Sequence, residues 1–470
     1  MNRYAKLAAA FVVAALVAVP SFAQRGSANF TKFVALGDSY GAGVVSGSLN
    51  ERHQVWSWPA VIARQVGLTT CQPTNVAADS CFAQPLVTFP GVGPELQLVN
   101  LTPTIAPAAG GGVPVMTTFG RPYNNLSIPG ATVGALLSLT GAEPPTAGEP
   151  TAVSMARFIL RGQGTAVAQT IAQQPTFIAL WIGGNDALST LFSGTPNTLT
   201  PAADFKTRYE ALLSALVAGA PNAGMVVGNI PAVPLPYMLL IQRVVVNPST
   251  GQPVLGPDGN PIPLIAELGD GTVGPLPAGS FVLLHARDRL ATGFGLPAVP
   301  PFTAFPNAGK PLLDADVITP TEFAVIATRI GEYNAAINAA AAARNIPVAN
   351  IQGLFNRVYA PGGARVGPIT VTAAPVTGGF FGLDFFHLTD LGYLMFANEF
   401  IRTINAAYDT EIPVASIAQL YANNGAMFPE TTSGQMVLDA DNLFVTSEAI
   451  DQLHQMWTPK LSFRKRAARH

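Results

Sequence analysis

Charge is scarce in this sequence. Asp, Glu, Lys and Arg make up only 11% of its 470 residues, against about 25% in an average globular chain. The formal net charge is −2 and the pI about 6.2, so there is no basic field of the kind that gathers nucleic acid. Cysteine is almost absent, with only Cys71 and Cys81. A metal centre needs more Cys or His nearby, and His53 is the one candidate, so it is set aside and no metal is expected. Histidine is short as well: His53, His285, His387, His454 and His470 are the whole supply. Beyond the N-terminus no apolar run approaches the roughly 20 residues of a membrane span; residues 336–343 are apolar but short and alanine-rich. No internal repeat is evident.

What the chain does have is apolar material, at 49%, with 45 Gly and 41 Pro. That predicts a large core joined by many turns and long irregular connections. At the N-terminus, Arg3 and Lys6 precede an apolar run over 7–19, followed by Pro20, Ser21, Phe22 and Ala23. The run is short for a membrane anchor and the small residues suit cleavage. Residues 1–23 therefore read as a secretory signal peptide, and the mature protein as secreted or periplasmic. In an exported chain, Cys71 and Cys81 read as a disulfide closing a surface loop, with free thiols as the alternative.

The secondary-structure signals alternate. Strands are expected at 29–36, 125–132, 176–182, 224–230 and 346–351. Helices are expected from 56–66, from 133, and at 165–173, 203–218, 319–344 and 388–407, where apolar residues recur at helical spacing. The unbroken apolar run at 176–182 suits a strand buried on both faces. Strand–helix–strand alternation with glycine turns argues for an α/β fold with a mainly parallel sheet. Residues 67–120 read as loop. Residues 238–305 break the rhythm and read as a β-hairpin-containing insertion, either a cap over a site or a structural loop. Residues 409–470 form a C-terminal extension whose basic tail, around Lys460 to Arg466, is solvated or in membrane contact.

Four polar turns follow predicted strands or lie near the C-terminus. Gly37-Asp38-Ser39-Tyr40-Gly41 ends the first strand and leaves a hydroxyl at the sheet rim. Next come Gly130, then Gly183-Gly184-Asn185-Asp186, then Asp384-Phe385-Phe386-His387. A serine hydroxyl needs an adjacent base to act as a nucleophile, and His387 is the histidine with a carboxylate three residues before it. Asp384 can fix its tautomer; equally, Asp384 can be a helix cap. Acyl transfer also needs donors aimed at the developing oxyanion, and the Ser39 N–H, the Gly130 N–H and the Asn185 amide are of the right type. Each turn alone is equally readable as ordinary backbone chemistry.

Taken in order, these blocks resemble the GDSL-type, or SGNH, esterase and lipase superfamily, over about residues 30–405. The resemblance implies a flavodoxin-like three-layer α/β/α domain at 29–408. It implies Ser39 as nucleophile, His387 as base, Asp384 as its orienting group, and Gly130 and Asn185 as oxyanion donors beside the Ser39 N–H. Tyr40 departs from the Leu of the namesake motif. The G-x-S-x-G spelling of 37–41 also matches the nucleophile elbow of α/β-hydrolases. In that fold several strands precede the elbow and a helix follows it, which one short strand and the glycines at 41 and 43 argue against. The expected activity is hydrolysis of carboxylic esters, lipidic or small-molecule, with acetylated sugars as the alternative substrate. A non-catalytic envelope binding module on the same fold is the reading from a different class.

Overall fold

The computed structural model describes residues 27–72, 81–99, 104–116, 118–232, 234–247, 250–423, 425–426, 444–446 and 448–452. The signal-peptide segment at 1–23 and the basic tail lie outside the described residues.

Four apolar segments pair in parallel: β1 (Phe33–Gly37), β2 (Phe177–Trp181), β3 (Gly224–Gly228) and β4 (Val348–Ala349), in the order β1-β2-β3-β4. On the free side of β1, residues 124–128 run alongside it in the same direction. Ala35 N–H donates to the Asn124 carbonyl at 2.8 Å, and Leu126 and Ile128 donate to the Ala35 and Gly37 carbonyls at 2.9 Å. β1 is thus second across the sheet, the flavodoxin-like arrangement whose ligands bind beyond the strand C-termini.

The helices that build the layers are α1 (Ser39–Ala42), α2 (Trp58–Gln65), α3 (Val133–Ser138), α4 (Asn185–Leu188), α5 (Ala202–Gly219), α6 (Pro320–Ala342), α7 (Ile351–Tyr359) and α8 (Asp390–Tyr408). Successive strand side chains point to opposite faces, and both faces are covered. Val34, Leu36, Ile178, Leu180 and Val227 pack with Leu136 of α3, Phe205 and Leu212 of α5, and Tyr333 and Ile337 of α6. Phe33, Ala35, Phe177, Ala179 and Val226 pack with Ile62 of α2, Phe355 of α7, and Phe396 and Phe400 of α8. The result is a three-layer α/β/α fold with a parallel sheet. Every residue of β1 and β2 is buried, which is why their sequences are continuous apolar runs rather than alternating ones.

Several expectations need refinement. A helix does follow Ser39, but it is a single turn. Gly43, at φ 84°, caps it in the left-handed conformation that glycine adopts most readily. Gly41 is required inside that turn because a Cβ there would lie 2.2 Å from Ser127 Oγ. The stretch at 67–120 is not merely loop: Leu96–Leu98 pairs antiparallel with Thr104–Pro107, which in turn pairs parallel with Phe444–Val445. The C-terminal extension thereby returns to the main body, where Ala449 and Ile450 are buried in the core. Helices at Thr151–Leu160 and α7 were not expected from the pattern.

The insertion carries its own small core, including Val245, Leu264, Ala266, Val282, Phe302, Leu312 and Val317. An antiparallel pair, Ile265–Glu267 with Val273–Pro275, lies within it. Its core extends past residue 305, to Val317. Thr319 then starts α6 with a capping box: its side chain accepts from Glu322 N–H while Glu322 accepts from Thr319 N–H, and Pro320 occupies the first turn. Among the described residues no helix is long and apolar enough to cross a membrane.

Candidate active site

The C-terminal ends of β1, β2 and β3 open onto one cleft. Ser39 is the first residue of α1, where helix N–H groups have no intrahelical acceptor. Its N–H donates to no backbone carbonyl among the described residues. Asp38 caps the turn by accepting from Tyr40 N–H at 3.0 Å. Burial pushes the Asp38 carboxyl up to about 8, against that hydrogen bond.

His387 and Asp384 are both fully buried, with His387 Nδ1 2.7 Å from Asp384 Oδ2. The turn between them is unusual in that Phe385 sits at φ 66°, a costly region for a bulky side chain. That conformation folds the segment back, so Asp384 Oδ1 accepts from the Phe386 N–H at 3.1 Å and the His387 N–H at 2.9 Å. Gly47 N–H donates to Asp384 Oδ2 at 2.6 Å. Burial by itself would raise the Asp384 pKa. The His387 charge and hydrogen bond, with the backbone donors, outweigh it and hold the carboxyl below its ordinary range.

The segment carrying Ser39 and the segment carrying His387 are stitched together. Tyr40 Oη donates to the Phe386 carbonyl at 2.5 Å, and the Tyr40 ring lies 5.8 Å from the His387 ring. Tyr40 also stacks on Trp181 at the end of β2, with ring centroids 5.0 Å apart. Leu383 N–H donates to Ser46 Oγ at 3.1 Å, and Tyr393 Oη to the Val44 carbonyl at 2.6 Å. The residue that departs from the namesake motif is therefore one of several that tie the two segments together.

Asn185 begins α4, just past β2, and lines the cleft with Ser39. Its Nδ2 donates to the Ala131 carbonyl at 2.9 Å, which sets the amide orientation and leaves the second N–H of the group. Asp186 accepts from Val133 N–H at 3.0 Å, and burial raises its carboxyl to about 6. These two bonds hold the Asn185 turn against the chain around 131–133. Gly130, at φ 79°, lies in that neighbouring chain, but it borders a separate depression with Thr132, Gly134 and Arg208. Its N–H donates to no backbone carbonyl among the described residues.

The cleft encloses about 780 Å³, counting its solvent-open mouth. Its walls come from Ala187, Leu188 and Leu191 after β2, Ile230, Leu235 and Met238 after β3, one face of α6, and Phe386. Sequence reasoning missed the α6 wall. Phe323, Ile326, Ala327 and Ile330 follow helical spacing, which reads as an ordinary core stripe.

Cys71 and Cys81 form a disulfide across a separation of 10 residues. His53, set aside above, is buried between two carboxylates, with Nδ1 2.9 Å from Asp390 Oδ1 and Nε2 3.3 Å from Glu95 Oε2. Burial opposes its charged form, yet Asp390 and Glu95 prevail and hold its pKa well above the ordinary imidazole value. Among the described residues no group of three or more His, Cys, Asp or Glu could hold a metal ion.

No family model matches the chain, and no curated protein matches it. Solved structures similar to it include an α/β hydrolase enzyme from the metagenome of Lake Arreo, at 11% identity and TM-score 0.35, covering 81% of this chain and 97% of that one. A protein described as a GDSL-like lipase from Parabacteroides merdae matches at 11% identity and TM-score 0.32, over 82% and 98% of the two chains. An extracellular lipase from Streptomyces rimosus matches at 15% identity and TM-score 0.31, over 80% and 98%.

Proposed function

We propose that this chain is a serine hydrolase of carboxylic esters, acting through Ser39, His387 and Asp384. The observation that carries the reading is the buried His387–Asp384 pair, tied through Tyr40 to the turn that presents Ser39 at the cleft. In this reading Ser39 Oγ attacks the substrate carbonyl carbon while its proton passes to His387 Nε2. Asp384 holds Nδ1 protonated and stabilises the imidazolium. The carbonyl oxygen becomes an oxyanion, met by the Ser39 N–H and the remaining Asn185 N–H. The carbon–oxygen bond to the alcohol then breaks, and His387 returns the proton to the departing oxygen. Water attacks the resulting acyl-enzyme, gives a proton to His387, and releases the carboxylic acid with Ser39 restored. The cycle requires no cofactor.

Export fits the same reading, since a disulfide such as Cys71–Cys81 persists in oxidising compartments. The test is covalent labelling of the protein with a small organophosphonate, read by mass spectrometry of the peptide containing Ser39, beside hydrolysis of p-nitrophenyl butyrate. Labelling at Ser39 and loss of both signals in Ser39→Ala are expected. A folded protein that neither labels nor hydrolyses would point instead to a binding module.

A further inference from the structure

We propose that the cleft is the site of the substrate's acyl chain, and that Ala327 and Ile330 of α6 set the longest chain accepted. This rests on the ester-hydrolase reading above. The cleft's polar groups gather at one end, around Ser39 and Asn185. The rest of the lining is aliphatic or aromatic, and its side-chain donors are already committed: Thr190 Oγ1 to the Ala187 carbonyl at 2.7 Å, Tyr40 Oη to the Phe386 carbonyl and Trp181 Nε1 to the Asn229 carbonyl. A sugar placed there would bury hydroxyls without partners, which is costly, whereas methylenes are favoured by removal from water.

Direction follows from the proton path. The leaving alcohol oxygen must reach His387 to be protonated, so the alcohol lies on that side of the carbonyl. His387 does not line the cleft, and its segment contributes only Phe386. The cleft runs instead along the ends of β2 and β3 toward α6, so it takes the acyl half of the ester.

The α6 wall is held from behind. Phe281 of the insertion packs on Phe323 with ring centroids 5.1 Å apart, and Leu283, Leu284 and Ile318 share a core with Ile326. The insertion therefore braces the wall of the cleft. Met238, at its first residue, is its one contribution to the lining among the described residues. Ala327 is the smallest side chain on the lining face of α6, and a larger one would project into open space.

The test measures kcat/KM on p-nitrophenyl acetate, octanoate and palmitate for wild type, Ala327→Phe and Ile330→Ala. Because ratios within one sample do not depend on the folded fraction, they are the readout. Ala327→Phe should lower the octanoate-to-acetate ratio by about tenfold or more, and Ile330→Ala should raise the palmitate-to-octanoate ratio severalfold. A shift in either expected direction supports the assignment; ratios within about threefold of wild type in both variants overturn it. Failure of the hydrolase reading looks different, as no ester is turned over and Ser39 is not labelled. In that event decanoate binding to Ser39→Ala, followed by calorimetry, decides the cleft alone. Tenfold weaker binding on adding Ala327→Phe supports the acyl site, and undetectable or unchanged binding removes it.

Discussion

Replacing Asp384 by asparagine isolates what the buried carboxylate does. Four donors converge on its two oxygens: His387 Nδ1 at 2.7 Å and Gly47 N–H at 2.6 Å on Oδ2, and the Phe386 and His387 N–H groups at 3.1 and 2.9 Å on Oδ1. Asparagine offers one oxygen and one NH₂, so however the amide is turned, two donors face a third donor. If the oxygen keeps the backbone pair, His387 must present an acceptor at Nδ1. The proton then sits on Nε2, the nitrogen that has to accept one from Ser39. For the same tautomer error in a serine protease the loss is on the order of 10⁴-fold, equivalent to about 5.4 kcal/mol of transition-state stabilisation. Stability should fall too, by about 1–3 kcal/mol for each buried donor left unpaired.

The pH dependence has a definite sign. The Asp384 pKa is lowered in the folded protein, so its stabilisation is present above the ordinary carboxylate pKa and is lost as pH falls through the folded value. The stability gap between wild type and Asp384→Asn should therefore be full near neutrality and close in acid. The assay pairs kcat/KM on p-nitrophenyl butyrate with urea unfolding over the acidic range. A folded Asp384→Asn protein with kcat/KM within about tenfold of wild type would refute the assigned role.

Asp38 should behave oppositely. Burial raises its pKa to about 8, so the neutral acid is favoured in the fold, and that contribution is lost as pH rises toward the folded value. Asp38→Asn keeps an oxygen for the Tyr40 N–H and should unfold with a flatter pH dependence, gaining on wild type by several kcal/mol on the alkaline side; parallel urea-midpoint curves for the two proteins would count against it. Reducing Cys71–Cys81 opens a short loop, the pair being 10 residues apart, and should lower stability by roughly 2.5–3 kcal/mol on loop entropy. Thermal unfolding with and without reductant checks this, and an unchanged midpoint would show that the crosslink does not constrain the unfolded chain.

Local signals were legible along the chain because local physics makes them. β1 and β2 are unbroken apolar runs, and a sheet covered on both faces demands that pattern. Thr319, Pro320 and Glu322 announce the start of α6 through capping that needs only neighbouring residues. Asp384 and His387 are three apart, so their contact depends on a single turn. Strand–helix alternation suggested the α/β fold, and the order of Ser39, Gly130, Asn185 and the His387 pair suggested ester chemistry through its resemblance to a family of ester hydrolases.

Tertiary structure alone decided which distant groups meet. Tyr40 reaches Phe386 across 346 residues, and His53 finds Asp390 across 337; no local pattern encodes such pairings, because they depend on how strands order and helices pack. Gly130 makes the same point from the other side. Its sequence position suits a donor, yet its place beside Thr132 and Arg208 is set by the chain that packs around it. The α6 stripe reads the same whether it meets a core or an open cleft, since burial and binding both call for apolar side chains. Only the empty space opposite Ala327 and Ile330 distinguishes the two. The sequence by itself determined the residue types at the strand ends; folding determined which of them face one another, and across what.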